Sequence, residues 1–399
     1  MQAAVPQQKR IVIVAAKLGY QVRVFADGAA RIGYASQLIT DRCHQLTDPW
    51  GDAALPLQFD APDFDSLPDL HADGILAVGD QPACVAAQLA ARLQVPFHPV
   101  GAVLAATNKF LARECFRTAG LNVPWFQLCD SETAEVPFPC VLKPLGLSGS
   151  RGVIRANDRA GFVAAFERIG KLRPGPHILV ESFIPGREFA VEGLMDQGRL
   201  RVLAIFDKPD PLDGPFFEET IYVTPSREDQ ETQELIRETV TRAVHALGLR
   251  HGPVHAELRV NSGGAYMLEV APRPIGGLCA NVLRFEGMGL EELLLRHAAG
   301  ENVYNVPLAG GAAGVMMIPI PAAGIYKGVS GLEAAKTVVG IEDVIITAKE
   351  GYHMVPLPEG SSYVGFIFAR ADETSQVESA LRLAHSKLQF ELMPVLPLL

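Results

Sequence analysis

The sequence lacks the marks of several large classes of protein. No uninterrupted apolar stretch reaches the roughly 18 residues of a membrane-spanning helix, and the polar residues 1–10 have no apolar core of a secretory signal. The 6 cysteines form no C-x-x-C pair, which disfavours zinc and redox motifs. A net charge of −10 disfavours nucleic acid as the main partner. We therefore expect a cytoplasmic protein with reduced, mostly buried thiols.

Two nucleotide-binding fingerprints are also missing. No G-x-G-x-x-G follows the first apolar run at 11–14, which disfavours a nicotinamide-binding Rossmann domain. The glycine-rich segment 144–152 lacks the G-K-[ST] ending of a P-loop. If the chain binds a nucleotide, it must therefore do so by a different arrangement.

Apolar material is plentiful. Hydrophobic residues make up 48% of the 399 residues, enough for a large core and, by length, for two to four domains. In the first third, alternating strands and helices predict an open parallel sheet. The predicted elements there are strands at 11–14, 22–25 and 74–78, a short extended piece at Val95–Pro96, and helices at 82–93 and 108–119, the second capped by Thr107. With only seven residues between the first two strands, either the first unit is abbreviated or 15–20 is the stub of a helix.

The remainder of the chain mixes helices with predicted antiparallel strands. Residues 207–219 are rich in proline and acids, which indicates a long loop. A hairpin is predicted around Asn261-Ser262-Gly263-Gly264. The predicted strands are 139–143, 177–181, 186–206, 254–260 and 265–270, and the predicted helices are 158–169, 227–247, 290–299, 331–337 and 373–388.

The glycine-rich segment is the first candidate for chemistry. Gly146, Gly149 and Gly152 recur every third residue, with Ser148 and Ser150 between them, directly after a strand that ends in Lys143. Small residues allow backbone N–H groups to approach phosphate oxygens, and the lysine would add a positive charge. The alternative is a mobile surface loop.

Two acids on the predicted hairpin form the second candidate. With the turn centred near Gly263, Glu257 and Glu269 lie across from each other or within one pair of it. On one face their Cβ atoms would be roughly 5 Å apart, and such carboxylates repel unless a cation lies between them. This arrangement suggests magnesium beside a nucleotide. A register slip by one residue would instead put the acids on opposite faces.

Two further segments follow strand ends. Arg273, just before Gly276 and Gly277, could grip a carboxylate or phosphoryl oxygen together with backbone N–H groups. In the segment 181–188 the strand end could bind adenine, and Glu188 could accept the hydroxyl groups of a ribose.

The order of these motifs resembles that of the ATP-grasp superfamily over roughly residues 95–300. The motifs are Asn108-Lys109, Val141-Leu142-Lys143-Pro144, the glycine segment, Val180-Glu181 to Glu188, Ala256-Glu257-Leu258, and Leu268-Glu269 to Arg273. The resemblance implies an ATP-grasp fold of mixed α/β and α+β class. It also implies an N-terminal parallel-sheet (preATP-grasp) domain over 1–105 and an ATP-grasp domain over 106–305. A mobile lid at about 118–185 and a C-terminal α/β lobe over 306–399 complete the expected organisation.

The resemblance also implies roles for the candidate residues. Lys109 and Lys143 would contact ATP phosphates, and the loop with Gly146, Ser148, Gly149, Ser150 and Gly152 would close over them. Glu181, Phe183 and Ile184 would frame the adenine, Glu188 would hold the ribose, and Glu257 and Glu269 would bind two Mg²⁺ ions or Mn²⁺. Ala271 stands where the family usually has a metal-binding Asn. This departure is similar to the amino-acid and dipeptide ligase branch, in which an arginine and glycines like Arg273, Gly276 and Gly277 grip the acyl phosphate.

The resemblance thus implies an ATP-dependent ligase that joins a small carboxylate to an amine, with amino acids as substrates and a homodimer as its assembly. Lys208 could reach the γ-phosphate or the substrate, Glu218 and Glu219 could hold the incoming ammonium, and His255 could bind substrate. Phosphorylation of bicarbonate or formate is the alternative within the same fold. A non-catalytic ATP-binding protein is the alternative from another class.

Overall fold

The computed structural model describes residues 8–16, 20–41, 54–172, 175, 177–360 and 362–394. Its N-terminal unit is a four-stranded parallel sheet in the order β3-β2-β1-β4. The elements are β1 (Arg10–Ala15), α1 (Tyr20–Arg31), β2 (Ala35–Thr40), β3 (Leu55–Pro56), β4 (Gly74–Val78), α2 (Asp80–Leu93) and α3 (Val100–Thr107). Alternate residues of β1 pack on opposite faces of the sheet, against α1 on one side and α2 on the other. The predicted parallel α/β unit is therefore confirmed.

The strand predicted at 22–25 is wrong, because these residues lie in α1. Val22, Phe25 and Ala29 are buried at helical spacing, and a four-residue apolar run cannot by itself distinguish a strand from one face of a helix. The second strand is β2, so the crossover has ordinary length and the first unit is not abbreviated. The alternative of a helix stub at 15–20 falls partly on 17–19, which lie outside the described residues.

The cap predicted at Thr107 is also wrong by one residue. Thr107 ends α3, and its hydroxyl donates to the carbonyl of Val103 at 2.9 Å. Asn108 caps the next helix instead, because its side chain accepts from the N–H groups of Phe110 and Leu111. Thr and Asn are both good cap residues, so the sequence alone did not separate them. The extended piece at Val95–Pro96 is not part of a strand.

A second, antiparallel sheet has the order β5-β8-β6-β7 and packs its own apolar core against a helix. Its elements are α4 (Lys109–Thr118), which precedes the sheet, β5 (Phe126–Cys129), β6 (Cys140–Lys143), β7 (Ile154–Ala156), α5 (Arg159–Leu172) and β8 (Ile178–Ser182). The glycine segment connects β6 to β7, so it lies at the edge of this small unit.

The largest sheet has eight strands in the order β13-β12-β9-β10-β11-β16-β20-β18. Its first part contains β9 (Arg187–Asp196), β10 (Arg199–Asp207), β11 (Ile221–Thr224), α6 (Gln230–Leu247), β12 (Gly252–Asn261) and β13 (Gly264–Ala271). One face packs on α3, α4 and α6, and the other faces the N-terminal unit. The predicted hairpin is β12–β13.

The C-terminal part adds three strands to that sheet and forms a separate three-stranded sheet, β19-β17-β21. A short strand pair, β14 (Arg284–Phe285) and β15 (Met288–Gly289), and the helix α7 (Leu290–Ala298) precede this part. Its own elements are β16 (Ala312–Ile318), β17 (Gly324–Ser330), α8 (Leu332–Lys336), β18 (Ile341–Ile346), β19 (His353–Met354), β20 (Gly365–Ala371), α9 (Thr374–His385) and β21 (Gln389–Met393). The domain boundaries near 105 and 306 stay predictions. Among the described residues, no helix is both long enough and apolar enough to cross a membrane.

Candidate active site

A cavity of about 350 Å³ lies where the large sheet, the small antiparallel sheet and the end of β4 meet. Most of the residues that the sequence singled out line it. These are Lys109, Lys143, Ser148, Gly149, Ser150, Glu181, Phe183, Ile184, Glu188, Glu257, Glu269, Arg273, Gly276 and Gly277. Gly146, Gly152 and Lys208 are not among the lining residues. Motifs spread over more than 160 positions of the sequence therefore meet at one site.

The alternation of side chains along β12 explains why polar groups face the cavity. Val254, Ala256 and Leu258 enter the core under α6, so the residues between them point to the other face. Glu257 pairs directly with Glu269 across the hairpin, with an irregularity in register immediately beside this pair. Such a bulge re-aims the adjacent side chains. Both carboxylates line the cavity, so the two acids do not lie on opposite faces.

The first charged group in the wall is the Lys143 cluster, which consists of Arg113, Lys143 and Glu181. Glu181 is buried and accepts from Arg113 and from Lys143, whose Nζ lies 2.5 Å from Oε2. Burial acts to raise the pKa of Glu181, but the two cations lower it to about 2. Burial also lowers the pKa of Lys143, against the effect of Glu181. Two cations thus share one carboxylate.

The second group is the Lys208 cluster, which consists of Lys208, Glu188, Glu219 and Glu257. The buried Nζ of Lys208 contacts Glu219, and lies 2.9 Å from Glu188 and 3.4 Å from Glu257. Although burial opposes this, the three carboxylates raise the pKa of Lys208 well above its usual range. Burial and the charge of Glu257 raise the pKa of Glu219 to about 7. One ammonium is thus shared by three carboxylates.

Two neighbours extend the Lys208 cluster. The guanidinium of Arg259 donates to Glu188 at 2.8 Å. His255 lies between Glu192 and Glu257, with ring nitrogens at 2.5 and 3.2 Å from their carboxylates. Burial lowers the pKa of His255, but Glu192 and Glu257 raise it to about 9. The imidazole is therefore held in its charged form at neutral pH.

Arg273 is fixed by the N-terminal unit. Its Nε donates to Asp80 at 2.7 Å, and Asp80 is the first residue of α2, directly after β4. Burial raises the pKa of Asp80, but Arg273 lowers it below its usual range. A residue of the N-terminal unit therefore holds Arg273, which lines the cavity together with Gly276 and Gly277.

The glycine segment has the backbone that its sequence requires. Gly149, Ser150 and Gly152 all have positive φ, at 63°, 54° and 72°. A Cβ on Gly152 would lie 2.8 Å from the ring of Pro144, so a side chain there would be both strained and crowded. Lys109 donates to the carbonyl of Leu147 at 2.7 Å and lies 3.4 Å from Glu269.

The residues at the hairpin fit a magnesium ion in the chemistry of their donors. Glu257 and Glu269 oppose each other, and oxygens of Glu188, Glu219 and Glu257 lie within 4.8 Å of one another. Carboxylate oxygens are the ligands that Mg²⁺ prefers. Ala271 is buried and offers no side-chain donor.

Sequence reasoning missed several residues of the site, above all Arg113, Asp80, Glu192 and Arg259. Arg113 is fully buried in an otherwise amphipathic helix, and a lone basic residue gives no local signal of its partner. Glu192 lies between the apolar Ala190 and Leu194 on the same face of β9. A charge on the apolar face of a strand is the signal that could have revealed it.

Two family models match this chain. Residues 136–282 match the ATP-grasp domain, and residues 316–393 match the L-amino acid ligase C-terminal domain 2. The crystal structure of an L-amino acid ligase from Bacillus licheniformis superposes with a TM-score of 0.81 and 27% identity, over 98% of this chain and 100% of that one. The chain therefore contains an ATP-grasp domain followed by a C-terminal domain of the L-amino acid ligase type.

Curated relatives of this ATP-grasp protein match over shorter segments. The uncharacterized protein y4rH of Sinorhizobium fredii is 25% identical over 72% of this chain and 61% of its own length. The alanine–anticapsin ligase of Bacillus amyloliquefaciens is 27% identical over 40% of this chain and 39% of its own length. The chain spans between 34% and 61% of the length of the first three curated relatives.

Proposed function

We propose that this ATP-grasp protein is an ATP- and Mg²⁺-dependent ligase that joins the carboxylate of one small molecule to the amine of another. Amino acids are the proposed substrates. The reaction would pass through an acyl phosphate and release ADP and inorganic phosphate.

One observation carries the proposal: a single cavity brings together lysines, a glycine-rich loop and a pair of facing carboxylates. Lys109 and Lys143, beside the glycine segment, offer positive charge to a triphosphate. Glu257 and Glu269 pair with each other across the hairpin, and Glu269 lies 3.4 Å from Lys109. Phosphoryl transfer depends on this kind of positioning and charge stabilisation, since the protein takes little covalent part in it.

Glu257 and Glu269 would hold the magnesium, which supplies charge neutralisation for the triphosphate when it is bound. Phe183 and Ile184 would frame the adenine beside Glu181, and Glu188 would lie at the ribose. The loop that contains Gly149 would cover the phosphates with its backbone N–H groups. Two ions per site, and Mn²⁺ as a substitute, are part of this proposal.

In the first step, a carboxylate oxygen of the acid attacks the γ-phosphorus of ATP, the bond to the bridging oxygen breaks, and ADP leaves. In the second step, the amine nitrogen attacks the acyl carbon, phosphate leaves, and the nitrogen loses one proton. Arg273 and the N–H groups of Gly276 and Gly277 would stabilise the oxyanions of both steps. Exclusion of water protects the acyl phosphate from hydrolysis.

The amine would enter on the side of the Lys208 cluster. An ammonium group is favoured where carboxylates outnumber cations, and Glu218 and Glu219 lie on the loop that reaches this wall. Because the pKa of Glu219 is about 7, its carboxylate is well matched to accept a proton from the amine near neutral pH. Lys208 would keep the three acids in place.

The test is an incubation of the protein with ATP, Mg²⁺ and pools of amino acids, read by ADP release and mass spectrometry. We expect ADP release that depends on an acid and an amine together, and a new mass equal to their sum less one water. Omission of each pool in turn is the control. ADP release that requires bicarbonate and yields no amide would instead support carboxylation and overturn the ligase proposal.

A cytoplasmic location, the assembly as a homodimer and the three-domain division complete the proposal. Light scattering of the purified protein tests the dimer. Limited proteolysis tests the division, because we expect cleavage to concentrate near 105 and 306 if those boundaries are correct.

A further inference from the structure

Outside the cavity, three potential metal ligands converge. Asp196 is the last residue of β9, His251 directly precedes β12, and His297 lies in the last turn of α7. Their ligand atoms all lie within 4.8 Å of one another. We refer to Asp196, His251 and His297 as the histidine cluster.

The distances within this cluster are long for hydrogen bonds and match the edges of a metal site, although Nε2 of His297 still lies within hydrogen-bonding reach of Asp196. Oδ1 of Asp196 is 3.5 Å from Nδ1 of His251 and 3.3 Å from Nε2 of His297. Well-formed N–H···O bonds are ~2.7–3.2 Å long. Ligands at ~2.0–2.2 Å from a tetrahedral zinc ion are separated by about 3.4 Å. The two imidazole rings stack with their centroids 4.0 Å apart, so both histidines lie together beside Asp196.

The two histidines are also in the right chemical state. Burial lowers the pKa of His251, and lowers that of His297 to about 4, so both imidazoles are neutral at neutral pH. Metal binding requires the neutral form. Nδ1 of His251 is the nitrogen closer to Asp196, and its other nitrogen, Nε2, is buried and has no hydrogen-bond partner of ordinary geometry within the described ranges. Nearby His98 is excluded as a ligand, because Pro253 and Arg250 occupy both of its ring nitrogens.

The cluster is separate from the ATP-grasp cavity. Glu192 and His255 belong to that site, and Asp196 and His251 each lie four residues away from them along the same strands. Four residues of extended strand span about 13 Å. None of the three members lines the cavity. The carboxylate-rich wall and the histidine cluster therefore occupy different positions along β9 and β12.

We propose that Asp196, His251 and His297 form a second metal site, for a divalent transition-metal ion of the zinc type. Two imidazoles and one carboxylate favour Zn²⁺, Co²⁺ or Ni²⁺ over Mg²⁺, which prefers oxygen ligands. The bound ion would connect two strands of the large sheet to α7. This helix packs against α1 and β4 of the N-terminal unit, so the metal would stabilise the junction of the two units.

The proposal is tested by titrating chelator-treated protein with Co²⁺ in excess Mg²⁺, which keeps the carboxylate site filled. We expect one equivalent to bind with the intense visible absorption of four-coordinate cobalt. Asp196→Asn and His297→Asn should weaken this binding at least about tenfold. His385→Asn, which alters a partly buried histidine at the end of α9, is the matched control and should leave it unchanged. Equal binding by all four proteins would overturn the proposal.

A second measurement does not depend on whether the variants fold. X-ray absorption of Zn²⁺ bound to the unaltered protein should show imidazole nitrogen and carboxylate oxygen around the ion. A spectrum with oxygen ligands alone would assign the zinc to the glutamates of the cavity and would overturn the proposal, as would the absence of any tight binding in excess Mg²⁺.

Discussion

The Lys143 cluster and the Lys208 cluster both contribute residues to the same cavity and have opposite charge balances. In the Lys143 cluster two cations share Glu181, whereas in the Lys208 cluster one ammonium is shared by three carboxylates. An excess of cations suits an anionic triphosphate, and an excess of carboxylates suits a metal ion or an ammonium group. The contrast teaches that charge is unevenly distributed around the cavity, so that the proposed places for the phosphates and for cations differ in their charge balance.

The largest effect should come from removing the shared cation, with Lys208→Met. Glu188, which is buried, and Glu219 and Glu257, which are half-buried, would then lose the ammonium that they share and retain only Arg259 and His255 as cationic neighbours. We expect this loss to lower the free energy of unfolding by ~3–5 kcal/mol. Loss of the ammonium raises the pKa values of these acids, so the difference in unfolding free energy between the variant and the native protein should shrink as the pH falls. Urea unfolding at several pH values measures this difference. Lys336→Met removes an exposed ion pair to Asp343 and should cost about 1 kcal/mol or less. Equal losses in the two variants would contradict the comparison.

The proposed metal ligands provide the second prediction. Glu257→Gln and Glu269→Gln keep the shape of the side chain but remove a charge that, in the proposed function, holds the metal beside the triphosphate. We expect each to lower the rate of ADP release by ~10²–10³ while leaving nucleotide binding measurable. The exposed Glu238→Gln on α6 is the matched control. Normal turnover in Glu269→Gln would disprove the metal assignment.

The third prediction concerns the carboxylate of the Lys143 cluster. The folded-state pKa of Glu181 is about 2, below the usual value of 4.5. A depressed acid stabilises the fold above about pH 4.5 and loses that contribution as the pH falls towards 2. Glu181→Gln should therefore be less stable than the native protein by ~3 kcal/mol at neutral pH. Acid titration followed by circular dichroism should show the two proteins converging below pH 4.5. A gap that stays constant down to pH 2 would argue against this cause.

Much of the site could be predicted from the sequence because its residues lie in short, local motifs. The glycine segment, the paired Glu257 and Glu269, and Arg273 each follow a strand or a turn that has its own pattern. The partners of these residues could not be predicted, because Arg113 meets Glu181 and Asp80 meets Arg273 only after distant elements pack. The wrong strand at 22–25 has a related cause, since α1 shows its apolar face only over its whole length.

The smallest effect should come from the ion pair between Asp80, in the N-terminal unit, and Arg273, in the cavity. Asp80→Asn keeps an acceptor for Arg273 but removes its charge, so we infer that Asp80 is a positioning residue. Turnover should fall about tenfold, which is about 1.4 kcal/mol of transition-state stabilisation, with little change in the KM for ATP. If Asp80 acts through Arg273, adding Asp80→Asn to Arg273→Lys should lower turnover little further, because Arg273→Lys already removes the guanidinium that Asp80 positions. If Asp80 only supports the fold, the two losses should be additive and the KM should rise as well. The double-mutant cycle therefore decides whether the N-terminal unit contributes to catalysis through Arg273 or only to the stability of the cavity.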